Sequence, residues 1–350
     1  MPTVWFVLVA AMLVGYVLLD GFDLGAGIVH LWLARTESER RVILRTIGPV
    51  WDGNEVWLIA AGGTLYFAFP LLYASAFSGF YLPLNIVLWL LILRGIGIEF
   101  RHHLETRVWR GLFDGFFALS STLLAVFLGV ALANVVRGVP LSPDHSFFEP
   151  LWTSFLPRGA TGILDWYTVL GGVLALVALT IHGCWWVALK TEDDLQRRAR
   201  RLAIRLLPLL AIITIAGVPL TVAVRSDSLR NYSAHPLAFV LPLAVAAGWV
   251  GMAVYGRQAA ERKAFLSSCL YLVGMLGGAA VAIYPRLLPD SSGAGHDITI
   301  ANAATGSYAL HVGLVWWSFG MALAVGYFVL VYRMFRGKVI ADSSGVQRES

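Results

Sequence analysis

Residues 4–33 read VWFVLVAAMLVGYVLLDGFDLGAGIVHLWL, thirty positions in which Asp20 and Asp23 are the only acidic or basic side chains besides His30. About 20 apolar residues suffice to cross a bilayer, so this stretch reads as a membrane span long enough to tilt or to project beyond the hydrocarbon. An ionised carboxylate in hydrocarbon costs several kcal/mol. Asp20 and Asp23 must therefore face protein or water. They stand three residues apart and share a helix face. Gly21 and Gly25 form a small-xxx-small pair that lets a neighbouring backbone approach beside them.

The rest of the chain repeats the apolar pattern. Of 350 residues, 58% are hydrophobic and 13% charged, the latter about half the share of a soluble domain. The 35 glycines suit close helix approach in lipid. Nine spans are expected, at about 4–33, 48–73, 79–100, 112–136, 165–189, 202–224, 237–255, 265–285 and 307–332. The fold class is all-α: a polytopic helical membrane protein, arranged as two four-helix bundles plus one peripheral helix. A single transmembrane domain covers 1–338, and the polar run 339–350 reads as a disordered tail.

Lys and Arg in the short loops set orientation. After odd-numbered spans come Arg35, Arg40, Arg41, Arg45, Arg101, Arg107, Arg110, Lys190, Arg197, Arg198, Arg200, Arg201, Arg257, Arg262, Lys263, Arg333, Arg336 and Lys338, against Arg137, Arg158, Arg225, Arg230 and Arg286 on the other side. Eighteen against five places the N-terminus outside and the C-terminus in the cytoplasm. The net charge of +5 belongs to these loops, not to nucleic-acid binding. The two longest connections, about 137–164 and 286–306, fall outside and are too short to fold as domains. Met1-Pro2-Thr3-Val4 lacks a basic n-region, so no cleaved signal peptide is expected. Cys184 and Cys269 both fall within spans and indicate no disulfide framework.

With this orientation the ionisable residues collect toward the cytoplasmic leaflet: Asp20 and Asp23 in the first span, Asp52 and Glu55 at the start of the second, Arg94 and Glu99 near the end of the third, Asp114 opening the fourth, and His182 in the fifth. A carboxyl in such surroundings can hold and release a proton near neutral pH. The expected proton path is Asp20, Asp23, Asp52, Asn54 and Glu55, supported by Trp51, Arg94, Glu99 and His182. The plainer alternative is an ion-pair lock between helices, such as Arg94 with Asp52 or Glu99. For Asp114, capping or dipole stabilisation at a helix N-terminus is the favoured reading. His182 is the best in-membrane histidine, while His30 and His311 lie nearer span ends and no pair faces across two spans, so haem ligation by this chain is not expected. No Cys/His cluster has metal spacing. Trp185-Trp186 and Trp316-Trp317 read as packing or interface anchors ahead of a quinone or lipid groove. A rival class is a proton-coupled secondary transporter, whose carboxylates would sit near the midplane beside broken helices.

Several motifs occur in order along the chain: Asp20-Gly21-Phe22-Asp23-Leu24-Gly25, Gly48-Pro49-Val50-Trp51-Asp52-Gly53-Asn54-Glu55-Val56-Trp57, Ala76-Phe77-Ser78-Gly79-Phe80-Tyr81, Arg94-Gly95-Ile96-Gly97-Ile98-Glu99-Phe100-Arg101, His182-Gly183 with Lys190-Thr191, and Tyr284-Pro285 with Thr299-Ile300. In this combination the chain resembles subunit II of the cytochrome bd-type quinol oxidases, including the cyanide-insensitive branch. The resemblance implies a bacterial or archaeal cytoplasmic-membrane complex with a haem-bearing subunit I, which holds two b-type haems, one d-type haem and the quinol site. It implies that subunit II carries no haem, stabilises its partner and supplies one proton route to the oxygen-reducing centre. Quinol and oxygen would be the substrates of the complex. A structural quinone and a small single-span accessory subunit are also compatible with it. Carried over by motif, Asp20, Asp23, Trp51 and Asp52 are the first residues to test. The chain departs from the pattern at Glu55, where some relatives have Gln, and in the longer polar stretch Asp290–Asp297.

Overall fold

The computed structural model describes residues 1–157 and 159–339; Arg158 and positions 340–350 of the expected tail lie outside the described residues. Helix α1, Pro2–Leu33, opens on a proline, whose missing N–H is no loss in a first turn. Its 32 residues rise about 48 Å. Helix α2, Glu37–Ile47, follows as a short polar helix outside the expected spans. A capping box starts it: Glu39 N–H donates to Thr36 Oγ1 at 3.2 Å, and Thr36 N–H to Glu39 Oε2 at 3.3 Å.

The expected second span, 48–73, is not one helix. Helix α3 covers Trp51–Ala68 and α4 covers Pro70–Gly79, parted at Phe69. Pro70 lacks the N–H that would continue the ladder, and its ring disfavours helical backbone at the residue before it. The break lies at the far end of α3 from Asp52 and Glu55. Helix α5, Tyr81–Glu99, ends in a 3-10 turn, Phe100–His102. Then come α6, Arg107–Arg137, α7, Trp166–Lys190, and α8, Asp193–Val224. Helix α8 starts at Asp193 rather than 202 because it includes the polar run Asp193–Arg201 ahead of the apolar stretch. Short α9, Arg230–Ala234, precedes α10, Val240–Arg257, and α11, Glu261–Ile283. A small antiparallel pair, β1 Arg286–Leu288 and β2 Ile298–Thr299, leads to α12, Ser307–Met334.

Among the described residues, eight helices are long and apolar enough to cross a membrane. Helix α3, with 18 residues, falls within the expected second span but is not among these eight, its hydropathy lowered by Asp52, Asn54 and Glu55. Helices α1, α3, α5 and α6 form one group and α7, α8, α10 and α11 a second, joined where α7 packs on α1 and α6. Helix α12 stands at the periphery. It reaches the bundle through side chains: Trp317 against Trp5, Phe328 against Trp57, and Tyr332 on Asn54.

Cross-loop contacts define the two ends of the bundle. At the arginine-rich end, Arg198 bonds Leu33 O and Glu39, Arg101 bonds Glu37, and Arg200 bonds Glu261. At the opposite end, Arg137 binds Glu149 at 2.8 Å and also pairs with Asp165, tying down the α6–α7 connection. Nearby, Asp227 is held between Arg225, at 2.8 Å, and Arg286. Partial burial works against its charge, but the two guanidiniums outweigh it and hold the Asp227 carboxyl at about 2, below its ordinary 3.8. A lowered native value means stability that is complete above 3.8 and lost as pH falls toward about 2. Asp227→Asn is therefore expected to lower the thermal midpoint at pH 6, with the difference from the parent shrinking below pH 4; a pH-independent difference would contradict this linkage.

Candidate functional site

Tyr16, Asp20 and Asp23 follow an i, i+4, i+7 stripe on α1, all buried. Asp20 faces Arg94 of α5, and both side chains are fully excluded from solvent. The pairing is a two-pronged fork: Arg94 Nη2 donates to Asp20 Oδ1 at 2.5 Å and Nη1 to Oδ2 at 3.0 Å. Glu55 of α3 lies 3.6 Å from Arg94 Nη1 and is 21% exposed. Asp23 takes a different partner. Asn54 Nδ2 donates to Asp23 Oδ2 at 2.7 Å and to Leu19 O at 3.2 Å, while Tyr332 O–H donates to Asn54 Oδ1 at 2.9 Å. Three helices that sequence order keeps apart, α1, α3 and α5, thus meet at one point, and α12 closes it.

The close approach is set by glycine. A Cβ on Gly183 of α7 would lie 2.2 Å from the carbonyl carbon of Gly25, and one on Gly25 2.1 Å from Leu179 O. The α1–α7 crossing is therefore backbone against backbone, two residues from Asp23. Trp51 supports the other side, its ring 3.6 Å from where a Cβ of Gly95 would stand.

The predicted site residues do not all gather. Asp20, Asp23, Asn54, Glu55 and Arg94 do. Asp52 is exposed on α3, on the same outward face as Val56 and Ile59 (51% and 72% exposed). Glu99 is exposed at the end of α5, so the ion-pair partner of Arg94 is Asp20 rather than Asp52 or Glu99. His182 is buried on another side of α1. Its Nε2–H donates to Leu18 O at 3.0 Å, which leaves Nδ1 as an acceptor beside the Ser268 hydroxyl at 2.7 Å. The ring stacks on Phe265 at 4.9 Å. Both nitrogens are used within the chain, and among the described residues no hydrogen bond joins them to the carboxylates.

Asp114 corrects a second expectation. Thr106, not Asp114, caps α6, whose Arg107 start leaves Asp114 two turns inside and buried. It accepts from His30 Nε2 at 2.7 Å, Arg101 Nε at 2.6 Å and Arg40 at 3.3 Å. This cluster pins α1, α2 and α6 at the arginine-rich end. Tyr16 and Tyr332 were also missed. Tyr16 had a signal, its i−4 spacing from Asp20. Tyr332 had none, standing 278 residues from Asn54.

No group of three or more His, Cys, Asp or Glu side chains among the described residues is arranged to hold a metal ion. Residues 1–335 match the family described as cytochrome bd terminal oxidase subunit II. The chain belongs to that family. It is 32% identical over 337 residues to cytochrome bd ubiquinol oxidase subunit 2 of Bacillus subtilis, covering 96% of each chain. It is 31% identical to a probable cytochrome oxidase subunit 2 of Haemophilus influenzae, covering 97% of this chain and 95% of that one. It is 29% identical over 335 residues to cytochrome bd-I ubiquinol oxidase subunit 2 of Escherichia coli K12, covering 88% and 87%. Its fold matches a chain in the structure of bd oxidase from Geobacillus thermodenitrificans with TM-score 0.76 at 20% identity, covering 95% of this chain and 98% of that one. Subunit II is thus a multi-pass membrane protein and one component of a quinol oxidase, an oxidoreductase complex that contains haem and a partner subunit I.

Proposed function

We propose that this subunit delivers protons from the cytoplasm to the oxygen-reducing centre of its partner and stabilises that partner in the membrane. The observation that carries this reading is a cluster of buried polar atoms around the α1 stripe. Tyr16 OH, Asp23 Oδ1, Glu55 Oε2 and Arg94 Nε are buried without a hydrogen-bond partner in the described chain. Buried polar atoms bind ordered water when the protein gives them no partner, so these four mark a wet seam between α1, α3 and α5.

The carboxyls divide the work. Asp20 is committed to Arg94 as its counter-ion, and a bidentate pair of this kind is a fixed support. Asp23 receives only a neutral amide and keeps one oxygen free, so it is the group that takes up and releases protons. Glu55 is partly exposed and bridges the pair to the surface of α3. The exposed Asp52, set among exposed apolar side chains, would meet lipid if nothing covered it. Partner subunit I supplies that cover, and the relay continues into it. In this arrangement α3 is the ninth crossing, the arginine-rich end is cytoplasmic and the N-terminus is outside. The haems, two of b type and one of d type, sit in the partner, together with the sites for quinol and oxygen. Within this chain, His182 uses both ring nitrogens internally and His30 Nε2 is bound to Asp114. Protons taken from the cytoplasm, with quinol protons released outside, build a gradient without a pump.

The test is Asp23→Asn in the assembled complex. The substitution keeps the Asn54 contact available and removes the titrating oxygen. Oxygen uptake is expected to fall about tenfold or more with haem content unchanged. Normal turnover in a fully haem-loaded complex would defeat the proposal; loss of haem with loss of activity would assign the residue to assembly instead.

A further inference from the structure

A small cavity with mixed apolar and polar walls lies at the arginine-rich end, beside Tyr332. It has a volume of about 70 Å³ and is walled by Arg45, Thr46, Val50, Trp186, Lys190 and Tyr332. That is room for a few water molecules, and the site offers the polar partners that water needs. The segment following α12 covers it. Lys190 Nζ donates to Phe335 O at 2.7 Å, and Val339 N–H donates to Lys190 O at 2.8 Å, so Phe335 and Val339 are strapped across the opening. Tyr332 lines the cavity and its hydroxyl reaches Asn54, which in turn holds Asp23.

We propose that this cavity is the water inlet of the proton path and that Tyr332 is its inner gate. The proposal rests on Asp23 being the proton-carrying group. Asn54 is a neutral amide and does not itself carry protons. While the Tyr332 hydroxyl is on Asn54, the ring separates the cavity from the carboxyls. When the hydroxyl turns to cavity water, the Asn54–Asp23 pair opens to that water. A hydronium ion in the cavity water then gives its proton to the Asp23 carboxylate: one O–H bond of hydronium breaks, one O–H bond forms on Asp23, neutral water is left, and no electron moves. Tyr332 is a positioning residue in this step. The cations Arg45 and Lys190 and the carboxylates Asp20, Asp23 and Glu55 are the charged groups nearest this route, with Arg94 behind them. Arg45 and Lys190 both line the cavity, and Lys190 holds the covering segment.

Two variants of the assembled complex test this. Val50→Phe fills the cavity and leaves its polar groups in place. Tyr332→Phe keeps the ring and removes the swinging donor. Both are expected to retain haem and to lose at least about fivefold in oxygen uptake, with the deficit widening as pH rises and protons become scarce. That pH trend distinguishes a supply defect from a packing defect. If both variants turn over normally at every pH while Asp23→Asn stays slow, protons enter elsewhere: the inlet is wrong and the carboxylate reading stands. If Asp23→Asn is normal too, that reading falls first. A readout independent of turnover is Val50→Cys in membrane vesicles, treated from the arginine-rich face with a small water-soluble thiol reagent. Labelling above the unsubstituted complex is expected, and an unreactive thiol in an assembled complex overturns the proposal even where Val50→Phe fails to assemble.

Discussion

A subunit carrying Arg94→Leu is expected to lose about 3–5 kcal/mol of stability and to be recovered from membranes in strongly reduced amount, with little haem-loaded complex. The cause is Asp20. Its carboxylate is fully buried and both its oxygens are bound by the Arg94 fork. Removing the cation leaves an uncompensated charge inside the bundle. The double variant Arg94→Leu with Asp20→Leu removes both charges at comparable volume, and such replacements of a buried pair are often close to neutral. Yield and thermal midpoint are therefore expected to return toward the parent in the double variant. A single variant as stable as the parent would show that the pair holds nothing together, and a double variant as poor as the single would show that Arg94 acts through Glu55 or another contact.

The second large effect is expected at Gly183. A methyl group there would sit 2.2 Å from the Gly25 carbonyl carbon and 2.5 Å from Ala26 N, atoms that cannot rotate away. Overpacking of a tight core costs about 1–3 kcal/mol and occasionally more. With backbone on both sides, Gly183→Ala belongs at the top of that range. Helices α1 and α7 must separate, and α1 carries Asp20 and Asp23 with it, so oxygen uptake falls together with the thermal midpoint. Gly62→Ala and Gly217→Ala are the controls, because a Cβ at either meets nothing within 4 Å. If Gly183→Ala behaves like these controls, the crossing is looser than the contact distances state.

Much of this was legible in the residues. Long apolar runs announce the helices, and arginine placement separates the two ends, because both are properties of consecutive positions. The i, i+3 pair on α1 and the glycines beside it were equally visible, since they depend on one helix alone. What was not legible was pairing between helices. Arg94 could meet Asp20, Asp52 or Glu99 on sequence grounds, and only the way α5 packs against α1 chooses Asp20. Asp114 read as a helix-start acid because the true start, at Thr106, lies two turns earlier and its partners His30 and Arg101 come from other elements. The break at Phe69 was missed although Pro70 marks it, because the apolar character continues through it.

Helix α12 touches the bundle by a few side chains, yet it supplies the hydroxyl that caps Asn54. That donor is synthesised 278 residues after its acceptor. A nascent chain therefore inserts its acidic first helices long before the group that seals them exists. Until α12 docks, Asn54 Oδ1 lacks this hydroxyl donor, so the last helix of the chain completes the hydrogen bonding begun by the first and third.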